Sequence, residues 1–196
     1  INAAMKTARN NTLPLNDAKG VFAQVLLREA RQQLLDRGVF EEDLARILPD
    51  LRKSSGFKKM VDKIWPNLSG AQLVRFLLGS PTNRNKAIDG LLSPEEGNLL
   101  QRSSAKKIAD EPWTAADLPL LDEGNAIASG GGRRYGHVVI DEAQALSAMA
   151  LRAAGRRATN ASMTILGDIA QSTGIGAQES WDAVTTSLGI DGSLVR

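Results

Sequence analysis

Three carboxylates and two glutamines follow two short apolar runs. Asp141, Glu142 and Gln144 come after Val138-Val139-Ile140, and Asp168 and Gln171 come after Met163-Thr164-Ile165-Leu166. An aspartate that holds Mg²⁺ beside a second carboxylate that orients or deprotonates water is the minimum for phosphoryl transfer to water. An uncharged glutamine at the same edge can hydrogen-bond a terminal phosphate or the attacking water without repelling either. Taken alone, each acidic ending also reads as the ordinary start of a helix after a buried strand, since acids favour helix N-termini. Two such endings, one helix-length apart, form a far more specific constellation than either piece.

The elements that must position these residues follow from the pattern around them. The β-branched run of residues 138–140 is what a strand buried on both faces of a parallel sheet needs. In open parallel sheets ligands bind beyond the carboxyl ends of the strands, so both acidic endings are expected at one ligand edge. The surrounding pattern predicts a helix over 114–128, a flexible loop at Gly130-Gly131-Gly132, a helix over 146–158 and a last helical stretch near Trp181. Two strands alone give only a partial sheet. Arg152, Arg156 and Arg157 fall toward the end of the intermediate helix, where cations complement the dipole.

Upstream, the period is helical. Phe22, Val25, Leu26 and Leu34 fall near one face, with Gly38 as terminator, and further helices are expected over 41–53 and 57–64. Ser69-x-x-Gln72, Ser93-Pro94-Glu95-Glu96 and Thr114-x-x-Asp117 each offer a side-chain oxygen to orphan amides and an acid or amide reaching back. Pro66, Pro81 and Pro94 punctuate the segment, which predicts a compact bundle of short helices. Trp65 and Trp113 read most simply as core residues, or equally as pins between the bundle and the sheet.

Composition bounds the function classes. The 196 residues, 42% of them hydrophobic, suffice for a sizeable core in one or two domains. The absence of cysteine excludes disulfide frameworks and thiolate metal sites and points to a reducing cytoplasm. A single histidine, His137, cannot build a multi-histidine zinc site and reads as structural. No apolar span suggests membrane insertion. Residues 1–112 carry a net charge of +5 and residues 113–196 a net charge of −3, which supports two modules with different surfaces. The doublets Arg52-Lys53, Lys58-Lys59 and Lys106-Lys107 are interleaved with acids, so they read first as solvated helix faces, then as a protein-contact surface and last as phosphate contacts.

The two acidic endings resemble motifs II and III of superfamily 1 helicases. Trp113-Thr114-Ala115-Ala116-Asp117-Leu118-Pro119-Leu120-Leu121-Asp122-Glu123, Tyr135-Gly136-His137-Val138-Val139-Ile140-Asp141-Glu142-Ala143-Gln144, and Gly167-Asp168-Ile169-Ala170-Gln171-Ser172-Thr173-Gly174 with Ser180-Trp181-Asp182 narrow the likeness to the HelD family, helicase-like ATPases that act on bacterial RNA polymerase. Ile64-Trp65-Pro66, Leu91-Leu92-Ser93-Pro94-Glu95-Glu96 and Leu100-Gln101-Arg102 resemble the helical insertion that actinobacterial members carry inside their first helicase domain. The resemblance spans nearly the whole chain and is weakest over the first forty residues.

It implies an α/β fold, part of a P-loop NTPase parallel-sheet core, with an inserted all-α module over 1–112 and the motif-bearing portion over 113–196. It implies ATP and Mg²⁺ as cofactors, with Asp141 on the metal, Glu142 activating water and Gln144 sensing nucleotide. Asp168 and Gln171 join the nucleotide edge, Gln171 reporting the γ-phosphate. The implied partner is core RNA polymerase, whose clamp the family opens to release nucleic acid; nucleic-acid contact is then indirect. Two departures matter. Ala145 stands where motif II usually has an aspartate. Ser172-Thr173-Gly174-Ile175-Gly176 stands where strand-translocating relatives carry an aromatic that stacks on a base.

A phosphate loop of the G-x-x-x-x-G-K-[ST] type requires a Gly-Lys dipeptide, and no lysine here follows a glycine. With Ile1 in first place, the expectation is a piece of a larger protein that does not hydrolyse ATP by itself. Two other readings stay open: a fragment of a superfamily 1 DNA helicase, and a non-enzymatic helical interaction domain with vestigial acidic strand ends.

Overall fold

The computed structural model describes residues 1–190, so the last six positions of the segment 113–196 lie outside the described residues. The chain forms two compact units. One comprises Ile1–Ser69 with Ile127–Gly130, and the other Gly70–Ala126 with the chain from Gly131 onward. The expected change of module at 112/113 falls inside the second unit.

The first unit is built from α1 (Asn2–Arg9), α2 (Leu15–Asp36), α3 (Glu41–Lys53) and α4 (Ser55–Ile64). Ala18, Phe22 and Val25 repeat at helical spacing along α2 and form its buried stripe. With Ala4, Ala8, Val61 and Trp65 they make one core. The Trp65 ring lies 5.5 Å from that of Phe22, and its indole N–H donates to the Leu15 carbonyl at 2.8 Å, so its one polar atom is satisfied. Gly38 ends α2 with a φ of +85°, which lets the N–H groups of Gly38 and Val39 close on the carbonyls of Leu35 and Leu34. At 22 residues α2 is longer than the short helices expected, because no proline interrupts the chain between Pro14 and Pro49. Glu41, Glu42 and Asp43 open α3 and Arg52 and Lys53 close it, both matched to the helix dipole.

The second unit carries α5 (Gly70–Leu78), α6 (Pro81–Ile88), α7 (Pro94–Leu99), α8 (Leu118–Ser129) as far as Ala126, β1 (Val138–Ile140), α9 (Ala148–Gly155), β2 (Met163–Ile165) and α10 (Trp181–Leu188). Ser93 and Glu96 form the expected capping box of α7. Thr114 donates both its backbone N–H and its hydroxyl to Asp117, at 2.7 and 2.8 Å. The chain there makes a 3-10 turn at Ala115–Asp117 before α8, where one continuous helix was expected. At the start of α5 the backbone comes so close to α8 that a Cβ on Gly70 would meet the Asn125 nitrogen at 2.4 Å.

β1 and β2 pair in parallel, with Val138 opposite Met163, Val139 opposite Thr164 and Ile140 opposite Ile165. Ile140 packs with Leu151 of α9 and with Val184 and Leu188 of α10. The expectation of a strand buried on both faces is corrected here. Val139 is 63% exposed, because α9 and α10 supply the core on one face and no described element buries the Val139 side. The fold is therefore mostly helical with a small parallel α/β portion. Among the described residues no helix is long and apolar enough to cross a membrane.

Candidate active site

The parallel pairing brings the carboxyl ends of β1 and β2 to one edge, and the backbone stitches them together there. The Leu166 N–H donates to the Ile140 carbonyl at 2.8 Å, and the Ala143 N–H donates back to the Leu166 carbonyl at 3.0 Å. Asp141 and Glu142 leave β1 at this junction and Asp168 leaves β2, all three exposed. The chain does not run straight from β1 into a helix. Glu142 adopts the left-handed region with φ 52° and ψ 40°, and a single 3-10 turn at Ala143–Ala145 follows. A non-glycine residue held there stores strain of about 1–3 kcal/mol, a condition found disproportionately at functional sites. The bland reading of Asp141-Glu142 as the acidic first turn of a helix does not describe this geometry. The helix itself begins later, at Ala148, behind the Ser147 cap, and is shorter than the 146–158 expected.

Gln144 ties the edge together. It is 2% exposed, and both ends of its amide are used: Nε2 donates to Glu142 Oε2 at 2.7 Å, and Oε1 accepts from the Asp168 N–H at 3.1 Å. Gly167 makes room for it, since a Cβ there would stand 2.3 Å from Gln144 Oε1. Asp168 in turn accepts from the Ala170 N–H at 2.9 Å and from Gln171 Nε2 at 2.8 Å, so it caps the turn Ile169–Gln171 and orients Gln171. One oxygen of Asp141 accepts from the Glu142 N–H at 2.9 Å. Its other oxygen, and Glu142 Oε1, have no protein donor among the described residues. All five residues singled out from the sequence thus lie in one hydrogen-bonded constellation. Asp141, Glu142 and Gln171 face solvent, whereas Gln144 is buried and Asp168 has both carboxylate oxygens occupied by its own loop.

Sequence reasoning missed the residue that holds the rim. Gln178 is 6% exposed; its N–H donates to the Gln144 carbonyl at 2.8 Å and its amide donates to the Leu146 carbonyl at 2.9 Å. Ser172 donates to the Gln178 carbonyl at 2.7 Å. No spacing rule distinguishes Gln178 from the other polar residues of its loop, so no signal could have found it. Ile175 at the tip of that loop is fully exposed. His137 has the structural place expected of it, bridging the hydroxyls of Ser162 and Thr164 at 2.8 and 2.9 Å on the uncovered face.

Behind the edge, α9 is tied to α8 by charge. Arg152 meets Glu123 at 3.0 Å, Arg156 pairs with both Asp122 and Glu123, and Arg157 pairs with Asp122. Burial alone would raise the Glu123 carboxyl, but the hydrogen bonds from Arg152 and Arg156 outweigh it and hold it below its ordinary value. These arginines serve more than the helix dipole, because they have carboxylate partners on another helix.

Among the described residues, no three His, Asp or Glu side chains converge into a metal cage. Mg²⁺ does not need one, since it is usually held by one or two carboxylates together with phosphate oxygens and water. The free oxygens of Asp141 and Glu142 are hard donors of the kind it takes. A scan of protein-family models and a search of curated proteins find no match to this chain.

Proposed function

We propose that the chain carries the motif II and III edge of a HelD-like ATPase that binds bacterial RNA polymerase, as part of a P-loop NTPase core with an attached helical module. The observation that supports this reading best is the joining of Asp141, Glu142, Gln144, Asp168 and Gln171 at the carboxyl edge of two parallel strands. That is where such cores work on nucleotides.

In this reading Asp141 would hold Mg²⁺. Bound Mg²⁺ supplies neutralisation of the charge that develops on the phosphates. Glu142 accepts the proton of the attacking water, on a backbone and a Gln144 hydrogen bond that fix its orientation. Gln171, aimed by Asp168, contacts the terminal phosphate. Gln144 acts through Glu142 and the Asp168 backbone, and so reports nucleotide by linking the two motifs. This reading also requires a phosphate-cradling loop, and these residues contain no Gly-Lys pair to form one.

The test separates polymerase remodelling from strand translocation. The protein containing this chain and a phosphate loop is expected to co-migrate with core RNA polymerase and to bind single-stranded DNA weakly, in keeping with the missing aromatic after Gln171. Tight DNA binding with the steep salt dependence of phosphate contacts, together with duplex unwinding and no affinity for polymerase, would favour a conventional superfamily 1 helicase.

A further inference from the structure

We propose that the groove between α2, α3 and α4 is a docking site for an acidic amphipathic helix of a partner protein. This inference stands independently of the ATPase reading, since it uses only the first unit. Two hollows of about 440 and 500 Å³ open there and share Arg52 and Lys58 as a common wall. Ala23, Phe57 and Val61 contribute apolar floor to one, and Leu27, Leu48 and Pro49 to the other.

The rim is cationic. Arg52, Lys53 and Lys58 are all exposed and have no ion-pair partner among the described residues. Asp62, the one acid lining the groove among the described residues, is already neutralised by Lys19 at 2.6 Å, and Lys19 is also held by Asn67 at 3.1 Å. In the sequence the doublets Arg52-Lys53 and Lys58-Lys59 read first as solvated helix faces and second as a protein-contact surface. Folding brings Arg52, Lys53 and Lys58 together because Ser54 ends α3 and caps α4 in a single residue, its Oγ accepting from the Phe57 N–H at 3.2 Å. The last turn of α3 and the first turn of α4 therefore flank one hollow.

The occupant follows from the chemistry of floor and rim together. An apolar floor requires apolar side chains at i, i+3 or i+4, and i+7, as in helix-in-groove recognition. The unpaired cations Arg52 and Lys58 on the wall that the two hollows share, with Lys53 beside them, call for acids next to that stripe, which also speed encounter and select against basic partners. A nucleic-acid backbone would satisfy the rim and leave the aliphatic floor of Val61, Leu27 and Leu48 unused.

Fluorescence anisotropy on the full chain tests this, with a labelled 16-residue helical peptide bearing leucines at the stated spacing and glutamates on the flanks. It is expected to bind at least tenfold more tightly than a scrambled peptide of the same composition and than a version with lysine in place of glutamate. The double variant Arg52→Glu/Lys58→Glu, at exposed positions, should weaken it at least tenfold, while Lys106→Glu/Lys107→Glu should change it less than twofold. Equal binding of the scrambled peptide would overturn the proposal by reducing the groove to a charged surface. A 16-nucleotide single strand binding as tightly as the patterned peptide would overturn it in favour of a phosphate site. Self-association in sedimentation that Arg52→Glu/Lys58→Glu abolishes would overturn it in favour of a second copy of this chain.

Discussion

Gln144 is the residue on which the edge turns, and its burial separates its role from that of its neighbours. Replacing it by leucine leaves Glu142 without its donor and the Asp168 N–H without its acceptor, each a net loss of about 0.5–1.5 kcal/mol because Glu142 and Asp168 are themselves exposed to water. Urea denaturation of Gln144→Leu should show a fall of that order, and Gly167→Ala should follow it, because its Cβ would collide with the same amide. A Gly167→Ala chain as stable as the parent would mean that Gln144 is not locked. A second residue makes the opposite case. Arg84 is 2% exposed; its Nη2 donates to Asn85 Oδ1 at 3.4 Å, while its Nε and Nη1 have no partner among the described residues. A buried guanidinium with two unpartnered nitrogens is costly, so Arg84→Met should raise stability by about 1–3 kcal/mol and lift the melting temperature. Unchanged or lower stability would contradict that. Asp117 gives a pH signature: two hydrogen bonds from Arg102, at 2.7 and 2.9 Å, hold its carboxyl down to about 2 from 3.8. Its folded form is the more acidic, so its contribution is complete above about pH 4 and is lost as pH falls through about 2. The stability difference between the parent and Asp117→Asn, about 1 kcal/mol once solvent screening is allowed for, should vanish over that range.

Among the elements, α9 and α10 show what sequence pattern can and cannot deliver. The existence of α3, α4 and α10, and the caps at Ser93 and Thr114, were legible because each depends on residues within one turn of the chain. The extent of α9 was not, because its start is set by the Ser147 side chain accepting from Ala150, and its end by contact with another helix. A Cβ on Gly155 would stand 2.3 Å from the Leu188 carbonyl, so α9 and α10 touch backbone to backbone at that point. Gly155→Ala should therefore destabilise the second unit by more than 1 kcal/mol, although alanine is the better helix former by about that amount. A stabilised Gly155→Ala variant would show that propensity outweighs packing there. The one-sided burial of β1 was illegible for a related reason. A run of three β-branched residues fits a strand covered on one face or two, and only the placement of α9 and α10 decides which.

At the scale of the molecule, the placement of the candidate residues was legible where the division into units was not. The five residues were identifiable because parallel pairing sends successive strand ends to one edge, a rule of topology that needs no knowledge of side-chain packing. Their division of labour was hidden, since nothing in a motif tells a buried linking glutamine from an exposed one, or a capping aspartate from a free one. The division into two units at Ser69 and Gly70 was equally hidden, because charge and composition change elsewhere. On this account the isolated chain, without a Gly-Lys phosphate cradle, should show no micromolar affinity for ATP by calorimetry; tight binding would reveal a cradle of another kind. The central claim is that Glu142, held in left-handed backbone and by Gln144, is the base of a nucleotide hydrolase. Its most direct test is Glu142→Gln in the protein that joins this chain to a phosphate loop, with steady-state ATP turnover and nucleotide affinity measured side by side. The account requires turnover to fall by about 10²-fold or more while affinity stays within about twofold, as loss of a general base dictates; unchanged turnover would contradict it.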